Sequence, residues 1–269
     1  DDVNGNWWIV YHAYAKGYHT LGRSTLIEPI EWTQDGWYRT KSTATPITPK
    51  QKIKHGLELS DDFNGPDLGL QWTFWKEYAP QSLKFKQQTL WMNAKGKTPA
   101  DARLLLATVE DKNYETQVEV NTGNGNTAGL ILYYNEKAYA GITSDGKSFT
   151  IHQNAEKSFG LPNKIGKRFF AKIQNQGNIM QVMVSKDGKE WNTLAENIDV
   201  SQLHHNNYKG FYALRIGLLS AGKGNAGFRK FRYRNAIPEE KDMSAYLMVF
   251  HKDETHGLYM AGSHDGYNF

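Results

Sequence analysis

YETQVEVNTGNGNTAGLILYY (114–134) is the stretch whose reading decides the fold. YETQVEV alternates polar and apolar side chains, AGLILYY follows as a second short run, and the residues between them are Asn, Thr and Gly. Alternation over a few residues, bounded by turn formers, is the signature of a strand with one face buried. The same grammar extends outward in both directions, through LKF (83–85), TLWMNA (89–94) and RLLLATV (103–109) on one side. On the other lie KSFTIHQ (147–153), RFFAKIQ (168–174), IMQVMVS (179–185), YALRIGLLS (212–220) and FRKFRYR (228–234). No stretch of ten or more residues carries a helical period. The expectation is an all-β domain, a two-sheet sandwich of jelly-roll type.

Asp-Gly recurs where hairpins are expected: QDGWY (34–38), SDGKSF (144–149), KDGKEW (186–191) and HDGYNF (264–269). Each pair supplies positive φ to a tight turn, and an aromatic follows to start the next strand. The spacings between copies are irregular, so this is shared hairpin chemistry and not a solenoid.

Composition narrows the classes. The 269 residues carry a net charge of only +4 and no run of five basic residues, which gives no footprint for nucleic acid. Cys is absent, which excludes disulfides, thiolate metal sites and Cys nucleophiles. No apolar run approaches the length of a membrane span, and no basic segment followed by an apolar one opens the sequence. A beginning of DDVNGNWW leads us to expect a lost leader or a cut from something longer, in a periplasmic or extracellular bacterial setting. Fifteen Tyr and eight Trp make ring-rich surfaces of the kind that sugars and proteins both use.

Five segments separate by character. Residues 1–41 are dense in alternating aromatics; 42–57 (STATPITPKQKIKHGL) read as an exposed connector; 58–235 hold the strand runs. Residues 236–244 form a polar linker, and 245–269 (AYLMVFHKDETHGLYMAGSHDGYNF) read as two strands and a turn. A hairpin alone is marginal in water, so these last strands are expected to pack on something else.

The opening residues also carry a longer pattern. Gly5, Trp7, Trp8, Val10, Tyr11 and His12, then Leu21, Gly22, Arg23, Thr25, Pro29, Trp32, Asp35, Gly36 and Trp37, resemble the C-terminal end of the five-bladed β-propeller of glycoside hydrolase family 43. This is the β-xylosidase and α-L-arabinofuranosidase family. LSDDFNGPDLGLQWTFW (59–75), ETQVEVN (115–121), AGLILYYNEKAY (128–139) and GFYALRIGLLSAG (210–222) resemble the concanavalin-A-like sandwich that follows that propeller. The tail 245–269 resembles the first strands of another such propeller. The implied architecture is a concanavalin-A-like jelly-roll sandwich flanked by partial propeller strands, from between two tandem modules or from a rearranged chain whose ends complete one blade.

The resemblance implies inverting hydrolysis, which needs an acid and a base carboxylate across the scissile bond. In the family these lie in Asp-Pro and Glu-Gly-Pro contexts, and neither dipeptide nor tripeptide occurs in this sequence. The chain is therefore expected to supply an accessory sandwich and propeller edges to an enzyme acting on xylan or arabinan, without the catalytic acids and without a cofactor. What carries over is Arg23, whose guanidinium fork in the family reaches sugar hydroxyls and a carboxylate in the pocket. His12 is a second substrate-binding candidate, with a satisfied core His as the alternative. Trp7, Trp8, Trp32 and Trp37 read as blade core.

The sandwich offers further candidates. Glu115, Gln117 and Glu119 share one face of one strand, where jelly-roll glucanases carry Glu-x-Asp-x-Glu; the alternative is a solvated polar face. Asp61 and Asp62 stand where lectin-like sandwiches bind a structural Ca²⁺, although a lone acidic pair offers few of the six to eight oxygens required. Trp72, Trp75 and Trp91, with Tyr78, Tyr133, Tyr134 and Tyr139, are candidates for sugar stacking or for a lid over the propeller pocket. His204-His205, in SQLHHNNY, reads as surface loop. Two other functions stay open, an autonomous carbohydrate-binding module and a glycosidase built on Glu115 and Glu119. The expected partners are the polysaccharide, a neighbouring propeller domain and, through unpaired blade strands, a second copy of the chain.

Overall fold

A computed structural model describes residues 5–40, 58–109, 111–235, 246–252 and 257–263; of residues 24–27, 246–252 and 257–263 it describes the backbone. The chain falls into two units, residues 1–236 and 237–269. In the first, β1 (Trp7–Tyr14) pairs antiparallel with β2 (Arg23–Trp32), which pairs with β3 (Tyr38–Thr40).

The sandwich strands follow. They are β4 (Thr73–Phe74), β5 (Leu83–Phe85), β6 (Leu90–Asn93), β7 (Arg103–Thr108), β8 (Asn113–Asn121), β9 (Asn126–Asn135) and β10 (Ala138–Ser144). Then come β11 (Ser148–His152), β12 (Ser158–Pro162), β13 (Arg168–Gln176), β14 (Ile179–Ser185), β15 (Asn192–Asp199), β16 (Arg215–Gly222) and β17 (Asn225–Asn235). They form two seven-stranded sheets, ordered β12-β11-β10-β9-β16-β7-β4 and β15-β14-β13-β8-β17-β6-β5. In the second unit β18 (Tyr246–Lys252) and β19 (Gly257–Ser263) make a hairpin. The connector, the polar linker and HDGYNF lie outside the described residues. No helix among the described residues is long and apolar enough to cross a membrane.

The main core lies between the large sheets. Leu130, Leu132, Ile142, Ile216 and Leu218 of one meet Val118, Val120, Phe169, Ile173 and Phe228 of the other. Each such side chain contributes about 1.5–3 kcal/mol by leaving water. AGLILYY reads as nearly continuous apolar sequence for a reason visible here. Its even positions face that core, while Ile131 and Tyr133 face a second cluster with Leu104, Leu106, Tyr139 and Leu219 on the outside of the same sheet.

Turns and bulges set the register. Gly36, Gly146 and Gly188 take positive φ, and the Asp before two of them caps the turn: Asp145 Oδ1 accepts from the amides of Lys147 and Ser148, Asp187 Oδ1 from those of Lys189 and Glu190. In FRKFRYR a bulge with Lys230 at φ +50° lets Phe228 and Phe231, three apart, both point inward. Four strands have no counterpart among the runs read from sequence. β10 (AYAGITS) is buried on both faces and carries no polar–apolar alternation, whereas β4, β12 and β15 are edge strands whose outward positions are polar or turn-like.

His152 on β11 is buried, with Nε2 2.9 Å from Thr143 Oγ1 and its ring against Tyr139. Burial lowers its pKa from 6.5 to about 4. Between those values the unfolded chain binds the proton and the folded one does not, so stability is present above pH 6.5 and falls as the pH drops toward 4. The full shift corresponds to roughly 3 kcal/mol. Urea unfolding at pH 7 and near pH 4.5 should show this loss, and His152→Gln should remove most of that part of the pH dependence.

Candidate functional site

Alternation along β1 puts His12 and Tyr14 on one face. The chain then turns through a 3₁₀ segment, His19–Leu21, and Gly22 at φ +74°. A side chain at Gly22 would also crowd the Cβ of Ala213 at 3.2 Å, so only glycine suits this point. Arg23 opens β2 opposite Tyr14, with Thr25 opposite His12. From there its Nε donates to Tyr14 Oη at 3.1 Å and its Nη1 lies 3.0 Å from His12 Nε2. A guanidinium only donates, so His12 Nε2 is the acceptor and its ring proton sits on Nδ1.

The other wall comes from the sandwich, in the loop between β15 and β16. A single helical turn, His205–Tyr208, is capped by His204 Nδ1, which accepts from the Asn206 amide at 3.3 Å. Tyr134 Oη donates to the carbonyls of Lys209 (2.8 Å) and Gly210 (3.1 Å), and Asn135 Nδ2 to that of Tyr208 (3.2 Å). Held in this way, Phe211 is 74% exposed although its ring centroid lies 4.5 Å from Arg23 Cζ and 5.7 Å from the His205 ring. Tyr14 bridges the two walls, with Oη 2.8 Å from His205 Nδ1 and its ring parallel to the imidazole.

Behind this cluster the two parts are fastened. The Leu214 amide donates to the Thr20 carbonyl at 2.7 Å, Thr20 Oγ1 to Asn178 Oδ1 at 2.8 Å, and Asn178 Nδ2 to the Gly17 carbonyl at 3.1 Å. Lys112 Nζ lies over the Tyr18 ring at 4.5 Å. His204 is buried and stacks on His19 at 5.0 Å; burial first, then the nearness of His19 and His205, lowers its pKa. His204-His205 is thus the hinge of the loop and not the surface pair expected from its polar neighbours. Tyr14, His205 and Phe211 did not stand out in the sequence either. Their signal was available in the period-two spacing of His12 and Tyr14 and in GFYALRIG, but no local pattern tells which ring of that string points outward.

The stacking candidates do not form one platform. Trp72 is core, 5% exposed between Phe63 and Phe231, because its Nε1–H is satisfied inside by Asp61 Oδ2 at 2.9 Å. Trp75 covers Tyr133 outside one large sheet, pinned by Glu136 Oε1 at 3.0 Å and by Arg215, while Trp91 is half-buried on the other sheet. Tyr133, Tyr134 and Tyr139 are buried; Tyr78 is exposed. Trp7, Trp8, Trp32 and Trp37, read as blade core, stand exposed in this chain, since the small sheet meets the sandwich at the Tyr14–Arg23 end and the Trp residues lie at the other.

Glu115 and Glu119 are not a solvated face: both are buried. Burial pushes the Glu115 pKa up, but hydrogen bonds from Gln174, Lys172 and Arg234 outweigh it and leave the pKa lowered. Lys172 Nζ (3.1 Å) and Arg234 Nη2 (2.8 Å) share its Oε1. With Oε1 shared in this way and Oε2 accepting from Gln174, both oxygens of Glu115 are engaged within the sheet, which gives no support to a nucleophile at this position. Asp61 does not fit Ca²⁺, because both oxygens face donors: the Phe63 amide at 2.7 Å on Oδ1, Gln71 Nε2 and Trp72 Nε1 on Oδ2. Asp62 pairs with Arg232, and among the described residues no three His, Asp or Glu side chains converge as a metal site.

Comparison with known proteins places this arrangement. Residues 60–234 match the family model described as the β-xylosidase C-terminal concanavalin A-like domain, and residues 1–38 match that of glycosyl hydrolases family 43. The chain belongs to family 43. The GH43 BlXynB protein of Bacillus licheniformis superposes with a TM-score of 0.72 at 23% identity, over 87% of this chain and 52% of that one. The xylan β-1,4-xylosidase of Bacillus halodurans C-125 gives 0.73 at 22%, with the same coverage. These likenesses show the fold, and the chain spans about half the length of either structure. The non-reducing end α-L-arabinofuranosidase BoGH43B of Bacteroides ovatus is 32% identical over 80 residues, which is 26% of this chain and 15% of that protein. The family 43 segment and the sandwich thus meet at Arg23 and Phe211.

A purely structural Asp61 makes a clear prediction. Asp61→Ala strands the buried donors of Trp72 and Phe63 and should cost about 3 kcal/mol in chemical unfolding. A calcium chelator should leave the melting temperature of the unaltered chain unchanged.

Proposed function

We propose that this chain is the sandwich and blade end of a family 43 enzyme acting on xylan- or arabinan-type glycans, and that it contributes one side of a glycosyl pocket without the catalytic carboxylates. The observation that carries the reading is Phe211, an exposed ring fixed over the guanidinium of an Arg that is itself exposed. An apolar residue left in water but held by Tyr134, His205 and Arg23 is what a wall against a sugar ring requires. Arg23 then donates to sugar hydroxyls, and His12 and Tyr14 restrict the directions its fork can take.

The acid and base come from residues of a complete propeller outside this sequence. Support for this is the lack of any Asp-Pro or Glu-Gly-Pro, together with the engagement of both Glu115 oxygens by Gln174, Lys172 and Arg234. The relatives' xylosidase and arabinofuranosidase activities, and the family 43 match, point to pentosides as the substrate class. The uncovered Trp side of the small sheet is the surface where the rest of a propeller would pack, and the β18–β19 hairpin is read as the start of such a propeller.

The isolated chain should turn over neither aryl β-xyloside nor aryl α-arabinofuranoside; robust turnover by it would overturn the proposal. In a complete family 43 enzyme carrying these residues, Arg23→Ala should lower kcat/KM by about 10–100-fold. Phe211→Ala should act mainly on discrimination between the two pentosides.

A further inference from the structure

β13, β14 and β15 bound a groove of about 160 Å³ on the outer face of their sheet, lined by Gln174, Gln176, Ile179, Gln181, Glu196 and Asn197. The groove is made by a bulge. β14 pairs with β15 as Met180↔Ile198 and Val182↔Ala195, so the single residue Gln181 faces both Glu196 and Asn197. Asn197 takes φ +58°, which sends two consecutive side chains of β15 to the same side.

One wall is set by the buried ion cluster beside it. Gln174 Nε2 donates to Glu115 Oε2 at 2.6 Å, which fixes this lining amide and leaves its carbonyl oxygen out of that contact. Glu115 is fixed in turn by Lys172 and Arg234, and Lys172 by the Trp191 ring at 4.1 Å. On the other wall Gln181 Nε2 reaches Thr193 Oγ1 at 3.3 Å. A buried charge network with no catalytic use thereby orients a surface amide before a ligand arrives.

We propose that this groove is a second glycan-binding site, separate from the Arg23–Phe211 pocket, which holds one pentosyl unit of a neutral xylan- or arabinan-type chain. Primary amides and one carboxylate offer donors and acceptors side by side, as vicinal hydroxyls demand, and the half-exposed Ile179 gives a sugar C–H face an apolar contact. No Lys or Arg lines the groove, which speaks against a phosphate or uronate, and one carboxylate is too few for a divalent cation. The volume suits a single ring. The β13–β14 hairpin that carries Gln176 and Ile179 also carries Asn178, the residue bonded to Thr20 and Gly17, so a chain held here is kept beside the junction that supports Arg23. The pentose assignment rests on the proposed function; the groove itself does not.

The test is a titration of the whole chain with a xylo-oligosaccharide, an arabino-oligosaccharide and a cello-oligosaccharide, followed by NMR. The side-chain amide signals of Gln174, Gln181 and Asn197 should shift with a pentose chain. Affinity read from those signals should fall about tenfold in Glu196→Ala and in Gln181→Ala and stay unchanged in Arg23→Ala. Circular dichroism confirms folding of each variant. No shift with any of the three sugars, or binding that survives both groove variants, overturns the site; preference for the cello-oligosaccharide overturns the pentose assignment. Turnover of aryl pentosides by the isolated chain would sink the pocket reading and leave the groove standing.

Discussion

The Leu214 amide donating to the Thr20 carbonyl is the contact on which the rest of the arrangement depends. It ties the end of a three-stranded sheet to the loop leading into β16, and Asn178 ties the same turn to the β13–β14 hairpin. Both partners are backbone groups or short side chains with little freedom to accommodate error. Gly22 allows the approach, because any larger residue would meet Ala213. Once this turn is seated, Tyr14 falls against His205, and Arg23 comes under Phe211 without further adjustment.

The energetic division is uneven. Stability resides in the sandwich, where two sheets bury a continuous aliphatic and aromatic core and a second cluster covers the outside of one sheet. The small sheet adds little buried surface of its own, and its Trp side chains remain in water. Its position is set by a few directed hydrogen bonds and by stacked imidazole and phenol rings. A pocket wall made in this way is specified by geometry more than by burial, and a single lost hydrogen bond there would misplace it without unfolding the sandwich.

Much of the fold was legible in the sequence because strand alternation and turn chemistry are local. YETQVEV and AGLILYY became neighbouring elements of opposite sheets, and in the three Asp-Gly turns among the described residues the glycine took the positive φ expected of it. β10 escaped notice because a strand buried on both faces carries no alternation, and β15 because its bulge breaks the period and its edge faces water. At the site, Arg23 could be named from its motif, and the structure gives it His12 as a partner. Phe211 and His205 could not be picked out, since their importance comes from a loop that meets a segment nearly two hundred residues away. The same limit explains Trp72 and Asp61: an aromatic and an acid that suggest ligands locally turn out to satisfy each other inside the core.

Hydrogen exchange at Leu214 tests the central claim most directly, because its amide spans the junction and faces no other acceptor in the described hydrogen bonding. If the family 43 segment and the sandwich form one structural unit, this amide should be protected to within an order of magnitude of core amides such as that of Ile131. Exchange at the rate of an open loop, while Ile131 stays protected, would show that the turn is not seated and that Arg23 and Phe211 do not share a pocket.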